Sequence, residues 1–312
     1  MKTILVSGSL AYDRIMDFPG YFRDHFLPDK MHAISVSFQV ETTAENFGGT
    51  AGNIAYNLTL LGLAPKIIAT GGSDFERYRG HLKAHRIDPT SVKIDDKMLT
   101  SAAFMITDKA DNQIAAFSMG AGKSPYLPLP EVEDALCAII GAGAVRDMQA
   151  LPEHYRSHSI PFMYDPGQAI PALSADDLRD GMNGAAALFA NDYEFGLIEV
   201  KTGWDTPQLL EKVPIIVVTY GEKGSRVLTK EVEYKVNAVP VKSAVDPTGA
   251  GDAYRAGFIA GTLKKSTPEV CAKIGSTLAA YVVEAYGTQT HRFTIGELSA
   301  RYKSAYGEAL PL

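Results

Sequence analysis

At 312 residues, with 46% hydrophobic and 21% charged residues, the chain is long enough for one large α/β core, alone or with a smaller appendage. A formal charge of −6 without a basic run argues against a nucleic-acid partner, and no apolar run approaches the roughly 20 residues of a membrane span. The two cysteines, Cys137 and Cys271, and the seven scattered histidines show no metal-ligand spacing; a structural metal is not expected, and both thiols read as small buried hydrophobes in helical stretches.

Residues 1–8 are too short for a signal sequence and read as a first strand over 3–7, so a cytoplasmic protein is expected. Asp13 follows in Ser9-Leu10-Ala11-Tyr12-Asp13-Arg14-Ile15-Met16, where by itself it reads as no more than a turn carboxylate. Over 34–40 the residues Ile34, Val36, Phe38 and Val40 alternate with polar ones, which predicts a half-exposed strand. Gly48 and Gly49 then open a helix with Ile54, Leu58 and Leu61 on one face, closed by Gly62 and Pro65. A strand over 66–70 and a helix over 74–85 continue an alternation that implies parallel strands. Residues 100–107 and 113–119 form a second pair of strand-like runs around a turn-rich connector.

Gly120-Ala121-Gly122-Lys123-Ser124 invites comparison with a P-loop, but Phe117 stands where the first glycine is needed and three prolines follow where a helix should start. The run reads as a connection back into the core. In the second half, strands over 161–164, 186–190 and 215–219 end in Asp165-Pro166-Gly167-Gln168, Asn191-Asp192-Tyr193-Glu194 and Tyr220-Gly221-Glu222-Lys223-Gly224. Three polar or glycine-rich strand ends in succession mark one ligand-gathering face of a doubly wound sheet.

The most informative stretch is 244–258. Asp246 and Thr248 lead into Gly249-Ala250-Gly251, and after Asp252 small residues recur at helical spacing. This predicts a loop opening a helix, whose first amides lack intrahelical partners and face the positive end of the macrodipole. Such a loop can hold a phosphate, with Asp252 beside it where an incoming hydroxyl needs a general base. A long helix over 267–285, a Gly287-Thr288-Gln289-Thr290 loop and a surface helix over 297–309 complete the chain.

The 244–258 string resembles the signature of the ribokinase-like (pfkB) family of carbohydrate and nucleoside kinases, and Gly48-Gly49, Asn53, Asn191 and Glu194 resemble further family segments in the same order. The resemblance covers nearly the whole chain. It implies a three-layer α/β/α core with a mainly parallel sheet, and a small β-sheet lid drawn from about 10–45 and 92–120. It also implies phosphoryl transfer from ATP to a hydroxymethyl group, with Asp252 as base and the amides around Gly249, Ala250 and Gly251 as anion hole. Asp13, Gly48, Gly49, Asn53 and Gln168 would then meet the acceptor, while Asn191, Thr219, Gly221, Gly224, Ala279 and Val283 would meet the nucleotide. Glu194 would hold magnesium through water, and Asp246 with the loop near Gly287 would surround a monovalent cation such as potassium.

The detail of the 165–168, 246–258 and 282–290 segments resembles nucleoside and adenosine kinases, which makes adenosine the first candidate acceptor and a ribose- or fructose-class sugar the alternative. Phe38, Phe104, Phe117 and Met119 are candidates for an apolar slot around a base. Partners are expected to be small molecules, with the protein a monomer or a homodimer paired through the lid. A non-catalytic relative would lack the base or the magnesium acid, and both are present; a dehydrogenase is excluded because no G-x-G-x-x-G follows the first strand.

Overall fold

The computed structural model describes residues 2–30, 32–110 and 112–312. In chain order the strands are β1 (Thr3–Ser7), β2 (Ala11–Asp17), β3 (Thr42–Gly48), β4 (Pro65–Ile68), β5 (Thr70–Gly72), β6 (Lys93–Asp95), β7 (Ser101–Thr107), β8 (Gln113–Ser118), β9 (Ala135–Ile140), β10 (Phe162–Tyr164), β11 (Ala187–Asn191), β12 (Ile216–Thr219), β13 (Ser225–Leu228) and β14 (Glu233–Val236). The α-helices are α1 (Thr50–Leu60), α2 (Glu76–Ala84), α3 (Val145–Ser157), α4 (Ala175–Met182), α5 (Asp192–Thr202), α6 (Thr206–Lys212), α7 (Ala250–Leu263), α8 (Pro268–Val283) and α9 (Ile295–Tyr306).

Eight strands form the main sheet in the order β14-β13-β12-β11-β10-β9-β1-β4. From β12 to β4 neighbouring strands are parallel, and β13 and β14 add an antiparallel edge. Side-chain alternation splits the core in two. Ile4, Val6, Ile139 and Phe189 pack with α1, α7 and α8, whereas Leu5, Ile140, Leu188 and Val218 face α3, α4 and α5. Strands covered on both faces have no solvent side, which is why they read as continuous apolar runs. The result is the three-layer α/β/α core that the resemblance implies.

Small residues decide how α7 and α8 meet. A Cβ on Gly257 would lie 2.7 Å from Gly275 Cα, and one on Gly275 2.7 Å from Tyr254 O, so the two backbones touch. At the start of α7, Gly249 is the N-cap with φ 80°, in the left-handed region where glycine carries no steric penalty.

A separate four-stranded sheet, ordered β3-β2-β7-β8, stands beside the main one. The strand expected over 34–40 is not there; the partner of β2 is β3, running from Thr42 to Gly48, antiparallel with Asp13 opposite Asn46. The alternation at 34–40 was misleading because Phe38 packs irregularly against Phe18 and Phe22, with ring centroids 4.9 and 5.0 Å away, and Ile34 is exposed. Residues 93–95 pair with β5 in a small two-stranded piece rather than joining the four-stranded sheet. Cys137 lies in strand β9, not in a helix, since a short apolar run bears no period that separates the two. Cys271 is in α8 as expected, and both thiols are buried. Among the described residues no helix is long and apolar enough to cross a membrane.

Candidate active site

The C-terminal ends of β10, β11 and β12, the start of α7 and the inner end of the four-stranded sheet enclose a cavity of about 590 Å³. Asp13, Gly49, Asn53, Gln168, Asn191, Glu194, Thr219, Gly221, Gly249, Gly251 and Asp252 all line it. Residues far apart in the chain thus converge on one site. Gly48, Ala250, Gly224, Asp246, Ala279 and Val283 lie outside that lining. Gly48 sits behind Asp13, whose carboxylate a side chain there would strike. Gly224 makes room for the backbone of β14. Val283 gives its carbonyl to the amides of Val245 and Asp246 at 2.8 and 3.2 Å.

Asp252 is the third residue of α7. The first helical donor is Ala253, bonded to Gly249 O at 3.0 Å, and the Ala250 amide turns back to Pro247 O at 3.2 Å. The amides of Gly251 and Asp252 precede that first donor and have no carbonyl one turn back. Asn53 Nδ2 donates to Asp252 Oδ2 at 2.7 Å. Burial pushes the Asp252 carboxyl up to about 7; Asn53 and the Arg255 cation work against that rise, while Asp165 and Asp13 add to it. A carboxyl poised near neutrality suits a general base.

Arg255 lies one helical turn further along, a buried part of the cavity wall. Its Nε donates to Asp165 Oδ2 at 2.9 Å, its second nitrogen reaches Asp165 Oδ1 at 3.3 Å, and Nη1 reaches Gly251 O at 3.2 Å. The guanidinium also stacks over the Phe189 ring at 5.3 Å. Both partners of this pair are about 5% exposed, so the ion pair ties α7 to the end of β10 where water does not compete. Burial opposes the charge on Arg255, but Asp165 more than offsets it.

Asn191 and Glu194 form a capping box at the start of α5: Glu194 N–H donates to Asn191 Oδ1 and Asn191 N–H to Glu194 Oε2, each at 2.8 Å. The pairing thus has a structural role besides any metal role. Burial first, then the Asp165 charge, push the Glu194 carboxyl above its ordinary range. Among the described residues no three acidic, histidine or cysteine groups converge closely enough to hold a metal alone. Glu194 and Asp192 in the cavity lining are the one or two carboxylates that a magnesium ion keeping most of its waters would use. Asp246 Oδ1 accepts from Thr248 N at 2.9 Å and Oδ2 from Gly287 N at 3.1 Å, joining the loop before α7 to the loop after α8.

On the acceptor side, Asp13 comes from β2, and burial, reinforced by the charge of Asp246, pushes its carboxyl up to about 6. Gly49, with φ 90°, lies so close to the chain at 9–11 that a Cβ would be 2.6 Å from Ser9 O. Thr50 begins α1 there, its hydroxyl donating to Ala142 O at 2.8 Å while its amide donates to Ser9 Oγ at 3.1 Å. Sequence reasoning did not assign Arg255, Asp165 or Gln289 to the site. Arg255 carried a signal all the same, as a charged residue inside a stripe of small ones.

A three-layer core around one mainly parallel sheet, with a glycine-capped helix presenting a carboxylate to the cavity at the strand ends, is the arrangement that the ribokinase-like resemblance implies. The pfkB family carbohydrate kinase model matches residues 8–294, and the chain belongs to that family. It is 31% identical over 317 residues to a nucleoside kinase of Methanothermobacter thermautotrophicus, covering 100% of this chain and 99% of that protein. Its fold superposes on a Burkholderia thailandensis nucleoside kinase in complex with inosine with a TM-score of 0.88, at 33% identity and covering 98% and 99% of the two chains. It likewise matches the Methanocaldococcus jannaschii nucleoside kinase, an archaeal member of the ribokinase family, with a TM-score of 0.87 at 30% identity, covering 97% and 99%.

Proposed function

We propose that the protein transfers the γ-phosphoryl group of ATP to the 5′-hydroxyl of a nucleoside, with adenosine the first candidate. The observation that carries the nucleoside reading is a second cavity of about 490 Å³ that shares Ser9, Phe117, Ala142 and Gln168 with the first. Its remaining walls, Met119, Gly143, Val145, Ala169 and Ala172, are apolar or small. A ribose held by Asp13 and Asn53 would put its base there, whereas a free sugar would leave the recess empty. The nucleoside kinases among the relatives, one with inosine bound, support the same reading.

In the mechanism, Asp252 takes the proton of the attacking hydroxyl while the amides at the start of α7 face the transferred phosphoryl group. Arg255 acts from the cavity wall, fixing the first turn of α7 against Asp165. Glu194, its Oε2 used in the cap, would hold magnesium through water with Oε1, and the ion would supply charge to offset that on the phosphoryl oxygens. Asp246, between two loops, would serve as a monovalent-cation ligand, and Ala279 and Val283 would form a wall for adenine beyond the cavity lining. The four-stranded sheet closes as a lid over acceptor and phosphate, excluding water and with it ATP hydrolysis.

Competition between adenosine, inosine, other nucleosides, ribose and fructose at equal concentration, read as ADP formed, tests the reading. A purine nucleoside is expected to give the highest kcat/KM. A higher value for any free sugar overturns the nucleoside assignment.

A further inference from the structure

Behind Asp252 runs a chain of buried hydrogen bonds whose direction is fixed from both ends. At one end, Tyr78 Oη donates to Gly48 O at 2.8 Å. A carbonyl only accepts, so the tyrosine oxygen is left to accept from Gln289 Nε2 at 2.8 Å. The same Nε2 donates to Asn53 Oδ1 at 2.9 Å. Asn53 must then turn its NH₂ toward Asp252 Oδ2, 2.7 Å away. His81 Nε2 lies 2.8 Å from Gln289 Oε1; burial, with His85 adding to it, pushes the His81 ring down to about 4, so a neutral ring serves as the donor. Asn53 and Gln289 are 4% and 3% exposed, and water has little access to break the order.

The loop that carries Gln289 is itself anchored on both sides. Thr288 Oγ1 donates to Phe47 O at 2.7 Å, and the Thr288 side chain fills the space in which a Cβ on Gly249 would sit. One short loop therefore touches the α7 cap, the end of β3 and the residue that contacts the base.

Resting on the kinase reading above, we propose that Gln289 is a positioning residue: held by Tyr78 and His81, it sets the amide of Asn53 so that Asn53 donates to Asp252 and leaves the other carboxylate oxygen for the acceptor hydroxyl. An amide NH₂ at that place favours the ionised carboxylate, the form able to take a proton. If Asn53 were free to turn over, its Oδ1 would face the carboxylate and favour the protonated acid. The other charged or titratable groups acting on Asp252 are Asp13 from β2, Asp165 after β10, Arg255 on α7 and the buried Tyr78 on α2; a change at Gln289 leaves the first three untouched and removes one hydrogen bond from Tyr78, which stays tied to Gly48 O.

The test uses the full chain and whichever acceptor the wild type phosphorylates best, so a wild type that prefers a sugar removes the nucleoside reading and leaves this test intact. Gln289→Met keeps the volume and removes every hydrogen bond. Its kcat should fall roughly 10-fold to 10²-fold, as expected when a catalytic group loses its alignment. KM for the acceptor should rise as well, since Asn53 also meets the ribose, and the acidic limb of the kcat–pH profile, which a loss of binding alone would not move, should shift to higher pH. His81→Gln, which keeps a donor to Gln289 Oε1, should retain the wild-type limb, while His81→Leu should shift it in the direction of Gln289→Met. Circular dichroism checks folding; should Gln289→Met fail to fold, the two His81 variants decide by the same limb. An acidic limb superimposable on that of the wild type in the folded Gln289→Met, or in His81→Leu where Gln289→Met does not fold, overturns the proposal even if kcat drops.

Discussion

Along β9 the last four residues, 137–140, are buried, while all six residues of β8 are exposed, with Phe117 at 51% and Ile114 at 40%. The first strand belongs to a sheet covered on both faces by helices; the second lies at the edge of a four-stranded sheet with little behind it. Both sheets reach the same cavity. Asp252, Arg255, Asp165 and Glu194 are fixed to the covered sheet and its helices, and Asp13 and Phe117 to the open one. The half of the site to which the proposed mechanism gives phosphoryl transfer is therefore set in dense packing, where interiors have low compressibility. The acceptor half rests on a sheet with fewer buried contacts, the kind of region from which moving elements are drawn.

The largest expected effect lies in the dense half. Asp252→Asn should lower kcat by about 10²–10⁴-fold, the usual range for loss of a general base, with the fold retained. It should also change how stability depends on pH. Because burial raises the Asp252 carboxyl to about 7, the native state holds its proton more tightly than the unfolded chain. The stability from that group is complete below the ordinary carboxylate range and is lost as pH rises through about 7. Thermal melts of the substrate-free protein should therefore show Asp252→Asn gaining on the wild type at pH 8 relative to pH 4; equal differences at both values would mean that Asp252 is not held protonated by its surroundings.

Two ion pairs give a direct comparison of the halves. Arg255→Ala would leave Asp165 charged and buried, and urea unfolding should show a loss of about 3–5 kcal/mol. Arg14 pairs with Glu45 between β2 and β3, at 2.9 Å with side chains 28% and 20% exposed; Arg14→Ala should cost no more than about 1 kcal/mol. Similar losses for the two variants would erase the distinction.

Glu194→Gln is expected to act more narrowly. Glutamine also serves in a capping box, so the melting temperature should hardly move, while the magnesium concentration for half-maximal rate should rise. Unchanged magnesium dependence removes Glu194 from the metal's surroundings. The smallest effect on stability is expected in the open sheet: Phe117→Ala should stay within about 0.5 kcal/mol of the wild type and instead raise KM for the nucleoside. A large stability loss there would show that Phe117 packs the sheet rather than walling the recess.

What was legible in the sequence was whatever chemistry lies within one loop. The glycine-capped start of α7 with its carboxylate, the strand ends at 165–168, 191–194 and 219–224, and the helix after Gly49 each carry their signal in a few consecutive residues. The supports of the site do not. Arg255 meets Asp165 across 90 positions and Gln289 meets Asn53 across 236, and no local pattern announces such a pair. The strand expected over 34–40 failed for a related reason: alternation describes a side chain's preference for one face, but which segment completes a sheet is decided by pairing, and β2 pairs with the more polar residues 42–48. Asn191 and Glu194 show the opposite hazard, since one spacing satisfies both a helix cap and a metal's outer shell.

The contact between Gly257 and Gly275 extends the site's demands well beyond its lining. Because the two helix backbones touch there, a single methyl group at either position would push α7 away from α8 and carry the Gly249 cap and Asp252 with it. A mutational scan scored by growth or activity should therefore find two intolerant positions deep in a helix pair, near no substrate, with a dependence on side-chain volume and none on charge. In such a map the reaction centre would be outlined partly by residues that never meet a reactant.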